Sequence, residues 1–365
     1  MGYNTFGRFF RVSTFGQSHG SAIGVVIDGC PAGFTVDVAA IQMQLNRRKP
    51  GQSAVTTARN EVDKVEVISG LLDNITTGQP IAFSISNNDA RADDYNHIKD
   101  VYRPSHADFT YEMKYGLRHA SGGGRASARE TANWVIAGSL AQQLLLSLGV
   151  KITAYVSQVG TVVLQKSSNE LNLLNIDNNI VRCPDAETAA TMIAYLEKIK
   201  AEGDTCGGCI SALATGVPVG WGEPVFEKLH AQLAAAMCTI NAVHGFEYGS
   251  GFSGAGMLGS AHNDAFTVDE IGNTVTKTNY SGGIQGGISN GMPIYCKVAF
   301  KPVASIMQPQ QTIDKKNNKV LLEVTGRHDP CVVPRAVPIV EAMFALVLIN
   351  AYLANNNAKW PINFK

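Results

Sequence analysis

Residues 336–354 read AVPIVEAMFALVLINAYLA, the most apolar run in the chain. Such a run belongs either in a bilayer or inside a large protein. Pro338, Glu341 and Asn350 interrupt it. Polar and ionisable groups in hydrocarbon are costly, so the run reads as a buried helix over about 338–353. A second segment, SARETANWVIAGSLAQQLLLSLGV from Ser127, reads as another long helix over 127–148 with Trp134, Val135, Leu140, Leu144 and Leu148 inward. Two extended apolar helices need other layers around them. Strand-like stretches at 6–12, 23–28, KVEVISG, QPIAFSIS, 151–163, 209–216, 294–300 and 319–324 supply those layers. Helical patterns fall at Asp37–Arg48, 105–116, 186–201 and 224–239. Strands and helices do not alternate as βαβ units, so the fold class is α+β. No repeat or linker divides the 365 residues, which predicts one domain over 1–365.

Charge narrows the function. Lys+Arg and Asp+Glu number 30 each, so no basic field points to nucleic acid or an anionic membrane. The opening MGYNTFGRFF has no apolar signal core. Seven cysteines, an odd number, scatter without a secretory signal, and are expected to be reduced thiols of a cytoplasmic protein. CGGC (206–209) has no second pair to complete a zinc site, so packing is expected and no metal is assigned.

Ten of thirteen arginines fall in the first 130 residues. Arginine suits bidentate grip on carboxylate and phosphate. Several sit in glycine-, serine- and histidine-rich motifs. In GGGRASARE, Ser127 and Glu130 have capping-box spacing, which predicts a helix start behind glycines 122–124. Free amides and the positive helix end, flanked by Arg125 and Arg129, would form an anion site. In RPSHADFTY, Ser105 and Asp108 repeat the spacing, which places His106 in a first helical turn where the dipole lowers its pKa. GRHDPC carries Arg327 and Asp329 before a proline. GQSHG holds Ser18 and His19 between glycines. Sequence neighbours rarely aim side chains at one another, and no G-x-S-x-G elbow is present, so a hydrolytic pair is not expected.

GQSHGSAIGVVIDGCP, RPSHADFTY, GRASARETANWVIAGSL and GRHDPCVVPRAVPIVEAM, in this order and spacing, resemble the chorismate synthase family. RRKPGQS, EGDTCGG, TINAV, SGGIQGGISNG and KPVASI extend the likeness from about Thr5 to Leu353. The resemblance implies a β-α-β sandwich with helices between two antiparallel sheets, assembled as a homotetramer. It implies a 1,4-anti elimination of phosphate from 5-enolpyruvylshikimate 3-phosphate, giving chorismate. Reduced FMN is required without net redox change. NADPH would serve only to reduce the flavin, through an external flavin reductase. By the resemblance His19 is the acid to the leaving phosphate, His106 balances the reduced flavin, and Asp329 relays a proton. Ser18, Arg48, Arg103, Arg129 and Arg335 hold substrate. Arg125, Ala126, Ser127, Asn241, Ala242, Gly286, Lys301, Pro302, Val303, Ala304, Ser305 and Arg327 match flavin-binding segments.

Some positions depart from the family pattern. Gln17 replaces an acid, which would lower the pKa of His19. Ala54 and Gln311 stand where arginine is common, Ala126 replaces a serine, and Val303 and Ala304 make KPVAS less polar. His119 follows Arg118 where RD is common, and the stretch near 265–278 is longer than usual. A flavin-binding homologue without turnover is the alternative these departures motivate.

Overall fold

The computed structural model describes residues 4–49, 63–87, 99–118, 123–323 and 329–356. Ala54, His119, Gly122 and Arg327 lie outside the described residues.

Two five-stranded antiparallel sheets enclose a helical layer. The first contains β1 (Thr5–Phe6), β2 (Arg11–Gly16), β3 (Ala22–Asp28), β4 (Val65–Ser69) and β5 (Ile81–Ser86), in the order β1-β2-β3-β5-β4. The second contains β6 (Lys151–Val159), β7 (Val162–Val163), β8 (Gly208–Thr215), β9 (Val243–Tyr248) and β10 (Ile294–Phe300), in the order β9-β10-β8-β6-β7. Burial alternates along β8 and β10, as expected when one face meets the core. Ile210, Ala212 and Ala214 face inward beside Ile294, Cys296, Val298 and Phe300. Ile23, Val25, Ile27, Ile81, Phe83 and Ile85 do the same from the first sheet.

Between the sheets lie α1 (Val38–Arg48), α3 (Thr131–Ser147) and α7 (Val333–Asn355). The other helices are α2 (Asp108–Tyr115), α4 (Ala186–Ala201), α5 (Leu229–Thr239) and the short α6 (Gly259–His262). Asp37 caps α1 as expected, accepting from the Ala40 amide at 3.0 Å. Helices α3 and α7 cross at Gly138, where any Cβ would collide with Ala342.

The apolar run with which the sequence reading began is the core of α7. Among the described residues it is long and apolar enough to cross a membrane, yet 89% of its most apolar window is buried inside the protein. Its polar residues are docking points. Asn350 Oδ1 accepts from the amides of Arg8, Phe9 and Phe10 at 2.9, 2.9 and 3.2 Å, and Nδ2 donates to Phe10 O and Leu346 O. Glu341 accepts from Ala154 N at 3.1 Å and Arg47 Nη1 at 2.5 Å. The helix starts five residues earlier than expected, so Pro338 is internal. A proline has no N–H for the carbonyl four residues back; Arg182 donates to that carbonyl, on Pro334, instead.

Other boundaries also move. The strand expected over 6–12 breaks at Gly7, which adopts φ +85°, and resumes at Arg11. Helix α5 begins at Leu229 rather than 224, and Leu148 ends α3 at 40% exposure rather than facing inward. The late strand stops at Leu322, and residues within 265–278 form a small hairpin.

Candidate active site

Ser18 and His19 occupy a turn between β2 and β3, closed by the Gly20 amide donating to Gln17 O at 3.1 Å. Ser18 Oγ lies 2.9 Å from His19 Nδ1. The expectation that these neighbours point apart is therefore corrected. A tight turn brings the two side chains together, and the buried hydroxyl fixes the rotation of the ring.

The arginines expected to hold an anion connect to this turn through Asn87. Arg48 ends α1 and Arg129 precedes α3; both are buried, and both bind Asp63, whose side chain is wholly inaccessible. Arg48 Nη2 reaches Asp63 Oδ2 at 3.1 Å, and Arg129 Nη1 donates to Oδ1. Burial pushes the Asp63 carboxyl up, but the two guanidiniums outweigh it and hold its pKa below the usual value. Arg48 Nη1 also donates to Ala128 O and Thr131 Oγ1 at 3.2 and 3.3 Å. Arg335 Nε donates to Arg48 O at 3.2 Å, and Arg335 Nη1 pairs with Asp329. Arg129 Nε donates at 3.1 Å to Asn87 Oδ1, and Asn87 Nδ2 reaches Gln17 O and Gly20 O in the histidine turn. One polar chain thus joins His19, Arg129, Arg48, Arg335 and Asp329. Among the described residues, three arginines meet two aspartates along it.

A second cluster holds His106. Asp108 takes a two-point grip from Arg103, with Nε at 2.7 Å and Nη2 at 2.8 Å, and its Oδ1 lies 2.9 Å from His106 Nδ1. Burial would raise the Asp108 pKa; the hydrogen bonds from Arg103 and His106 prevail and drive it far below the usual range. The expected capping box is absent. Asp108 is the first residue of α2, Ser105 adopts φ +55°, and His106 lies before the helix. The aspartate serves the arginine and histidine rather than a helix cap.

Residues 123–131 touch both clusters. A small cavity of ≈ 10 Å³ is lined by His106, Asp108, Gly123 and Ala126, among others. Ala126 O accepts from Asn241 Nδ2 at 3.1 Å. Ala242, in the left-handed region at φ +67°, accepts from the Lys301 amide at 2.9 Å. Val303 O accepts from Thr205 Oγ1 at 2.8 Å, which fixes the extended run Lys301, Pro302, Val303, Ala304 and Ser305. The segments 125–127, 241–242 and 301–305 therefore form one wall. Their bare backbone and the strained Ala242 suit close approach by a flat ligand.

The anion site expected at the start of α3 is not built as foreseen. Two short 3-10 turns, Gly124–Ala126 and Ala128–Glu130, precede the α-helix. Their amides are used internally, with Ala126 N bonded to Gly123 O and Glu130 N to Ser127 O. Ser127 Oγ accepts only weakly, from Arg129 N at 3.3 Å. Glu130 does not return to the Ser127 amide; it binds Arg125, Asn133 and Trp134 instead. Arg125 also donates to Thr14 Oγ1 and Asn4 Oδ1. It braces strand β2.

Gly286 stands apart. It tips the hairpin Ile284–Gln285/Ile288–Ser289, whose Gly287 O accepts from Leu229 N at the start of α5. Asn241 follows the end of that helix. The rise of α5 separates the two ends by roughly 15 Å. Within one chain Gly286 does not join the wall. A larger pocket, ≈ 1100 Å³, lies between Phe6–Phe9, Gly220–Glu227 and the end of α7 and contains none of the expected site residues. Cys331 Sγ donates to Gly207 O at 3.7 Å and Cys206 N donates to Pro330 O at 2.8 Å, so CGGC helps pin the segment after Asp329.

Sequence reasoning missed Asp63 and Asn87, and took Asp108 only for a helix-capping acid. Asp63 lies just before β4 and Asn87 just after β5, in no recognisable local motif, and both meet Arg129 from far along the chain.

A family model described as chorismate synthase matches residues 10–353. Chorismate synthase of Christiangramia forsetii is 58% identical over 356 residues, covering 98% of this chain and 99% of that protein. That of Cytophaga hutchinsonii is 56% identical over 352 residues, covering 96% and 98%. A crystal structure of chorismate synthase superposes with a TM-score of 0.77 at 29% identity, covering 96% of this chain and 93% of that one.

Proposed function

The chain belongs to the chorismate synthase family of carbon–oxygen lyases, and from that premise we propose that it converts 5-enolpyruvylshikimate 3-phosphate to chorismate with reduced FMN. The observation that carries the reading is the polar chain from the His19 turn through Arg129, Asp63, Arg48 and Arg335 to Asp329. A substrate with one phosphate and two carboxylates needs such an arginine-rich surface.

The residues divide the work. Arg48 and Arg129, held by Asp63, orient the substrate anions, with Arg103 and Arg335 at the flanks. His19 passes a proton to the phosphate as its bond to carbon breaks, which neutralises charge on the leaving oxygen. Asp329, paired to Arg335, relays to solvent the proton lost from C6, which balances the one that His19 gives to the phosphate. The wall of 125–127, 241–242 and 301–305 holds the flavin, with His106 beside Ala126 to balance its charge. When bound, reduced FMN supplies electron density as phosphate departs and is restored afterwards. Arg327 and Gly286 remain family-based assignments, the latter to be met only by a contact outside this wall. A homotetramer and an external flavin reductase complete the proposal.

Anaerobic incubation of the chain with substrate and reduced FMN tests it. Chorismate and phosphate are expected in equal amounts. Flavin binding without either product favours the turnover-deficient homologue. His19→Ala should slow phosphate release; an undiminished rate removes His19 as the acid.

A further inference from the structure

Asn87 follows β5 and spends its whole amide on the site. Nδ2 donates to Gln17 O at 3.0 Å and to Gly20 O at 2.9 Å, while Oδ1 accepts from Arg129 Nε at 3.1 Å. Its backbone amide donates to Ser21 O at 2.9 Å. Two carbonyls on one side and a guanidinium on the other fix which end of the amide is which. The two carbonyls bracket Ser18 and His19 and are the ends of the turn that presents them. We propose that Asn87 is a positioning residue that holds the His19 turn in register with Arg129, so that the proton donor and the anion-gripping guanidinium meet one substrate together.

The inference rests on the proposed elimination, which gives His19 and Arg129 their tasks. No other side chain of this length supplies both halves of the contact. Aspartate keeps an acceptor for Arg129 and adds charge to it, but turns an oxygen toward two carbonyl oxygens. Alanine loses both sides. Serine is too short to span them. A misplacement of about 1 Å between reacting groups costs on the order of a hundredfold in rate. The loss should therefore appear in the catalytic step and not in substrate capture.

Asn87→Asp separates the two. In the full chain with reduced FMN, kcat is expected to fall at least about thirtyfold while KM stays within about threefold, because the grip of Arg129 is retained. Arg129→Lys should do the reverse and act mainly on KM. Histidine-labelled protein gives a readout independent of turnover: the His19 ring resonance, identified by its loss in His19→Gln, should move in Asn87→Asp. Unchanged kcat with an unmoved resonance overturns the inference. So does a fall in kcat and a rise in KM together with a lowered melting temperature, which marks a merely structural residue. If Asn87→Asp does not fold, Asn87→Ser, which is neutral and smaller, must show the same kcat loss and resonance shift. If the unmodified chain forms no chorismate, the functional proposal fails while the resonance still decides the coupling.

Discussion

Asp63→Asn removes one charge from the centre of the site and little volume. The wild-type carboxylate is wholly buried and shared by Arg48 and Arg129. Losing one partner of a buried ion pair costs about 3–5 kcal/mol, because the remaining charge stays desolvated. The asparagine oxygen still accepts one hydrogen bond, so the lower figure applies. With an unfolding entropy near 2 cal/mol/K per residue, about 3 kcal/mol lowers the melting temperature of a chain this long by roughly 4 °C. Inorganic phosphate should narrow that gap, because an added anion can take the place of the lost carboxylate beside the two buried guanidiniums. The pH dependence has a fixed sign. Asp63 has a folded pKa below the ordinary 3.8, so its contribution is fully present above that value and fades as pH falls through the lower folded pKa. The gap between variant and wild type should be flat from neutrality to about pH 4 and close only in stronger acid. Scanning calorimetry across pH and phosphate concentration checks both. A variant as stable as wild type, indifferent to phosphate, would refute the view that Asp63 is the counter-ion of the arginine pair.

Other perturbations test neighbouring parts. Asn350→Leu should strand three amides at Arg8, Phe9 and Phe10 and cost about 3 kcal/mol or more, read as faster hydrogen exchange there and a lower urea midpoint. Asp108→Asn weakens charge-assisted bonds to Arg103 and His106, and reduced FMN affinity should fall about tenfold by anaerobic titration. Burial pushes the thiols of Cys30 to about 11 and Cys296 to about 12, so at pH 8 iodoacetamide should label exposed Cys238 first, as mass spectrometry of the digest will show.

The chain's motifs revealed which segments meet, because each motif is local: GQSHG, RPSHADFTY and GRASARE all reach the site. They did not reveal what holds those segments together. Arg129 contacts Asp63 and Asn87 across 66 and 42 residues, and neither aspartate nor asparagine carries a pattern of its own. The layered fold was legible for a different reason. Long apolar helices can be buried only by enclosure, and Asn350 and Glu341 inside one of them announce fixed partners even though they do not name them.

The capping boxes show why local rules failed where they did. Three S-x-x-acid spacings lie wholly within the described residues, at 105–108, 127–130 and 167–170. Only Ser167 and Glu170 form the reciprocal box, with the Ser167 amide donating to Glu170 Oε2 at 2.8 Å on an exposed turn. At the other two the carboxylate finds arginine, Arg103 for Asp108 and Arg125 for Glu130. A charge-assisted bond is roughly twice as strong as a neutral one, so a nearby guanidinium takes the acid from the backbone. Spacing therefore predicts a cap only where no arginine competes. The arginine enrichment that pointed to an anionic substrate is the same property that dissolved the predicted helix starts.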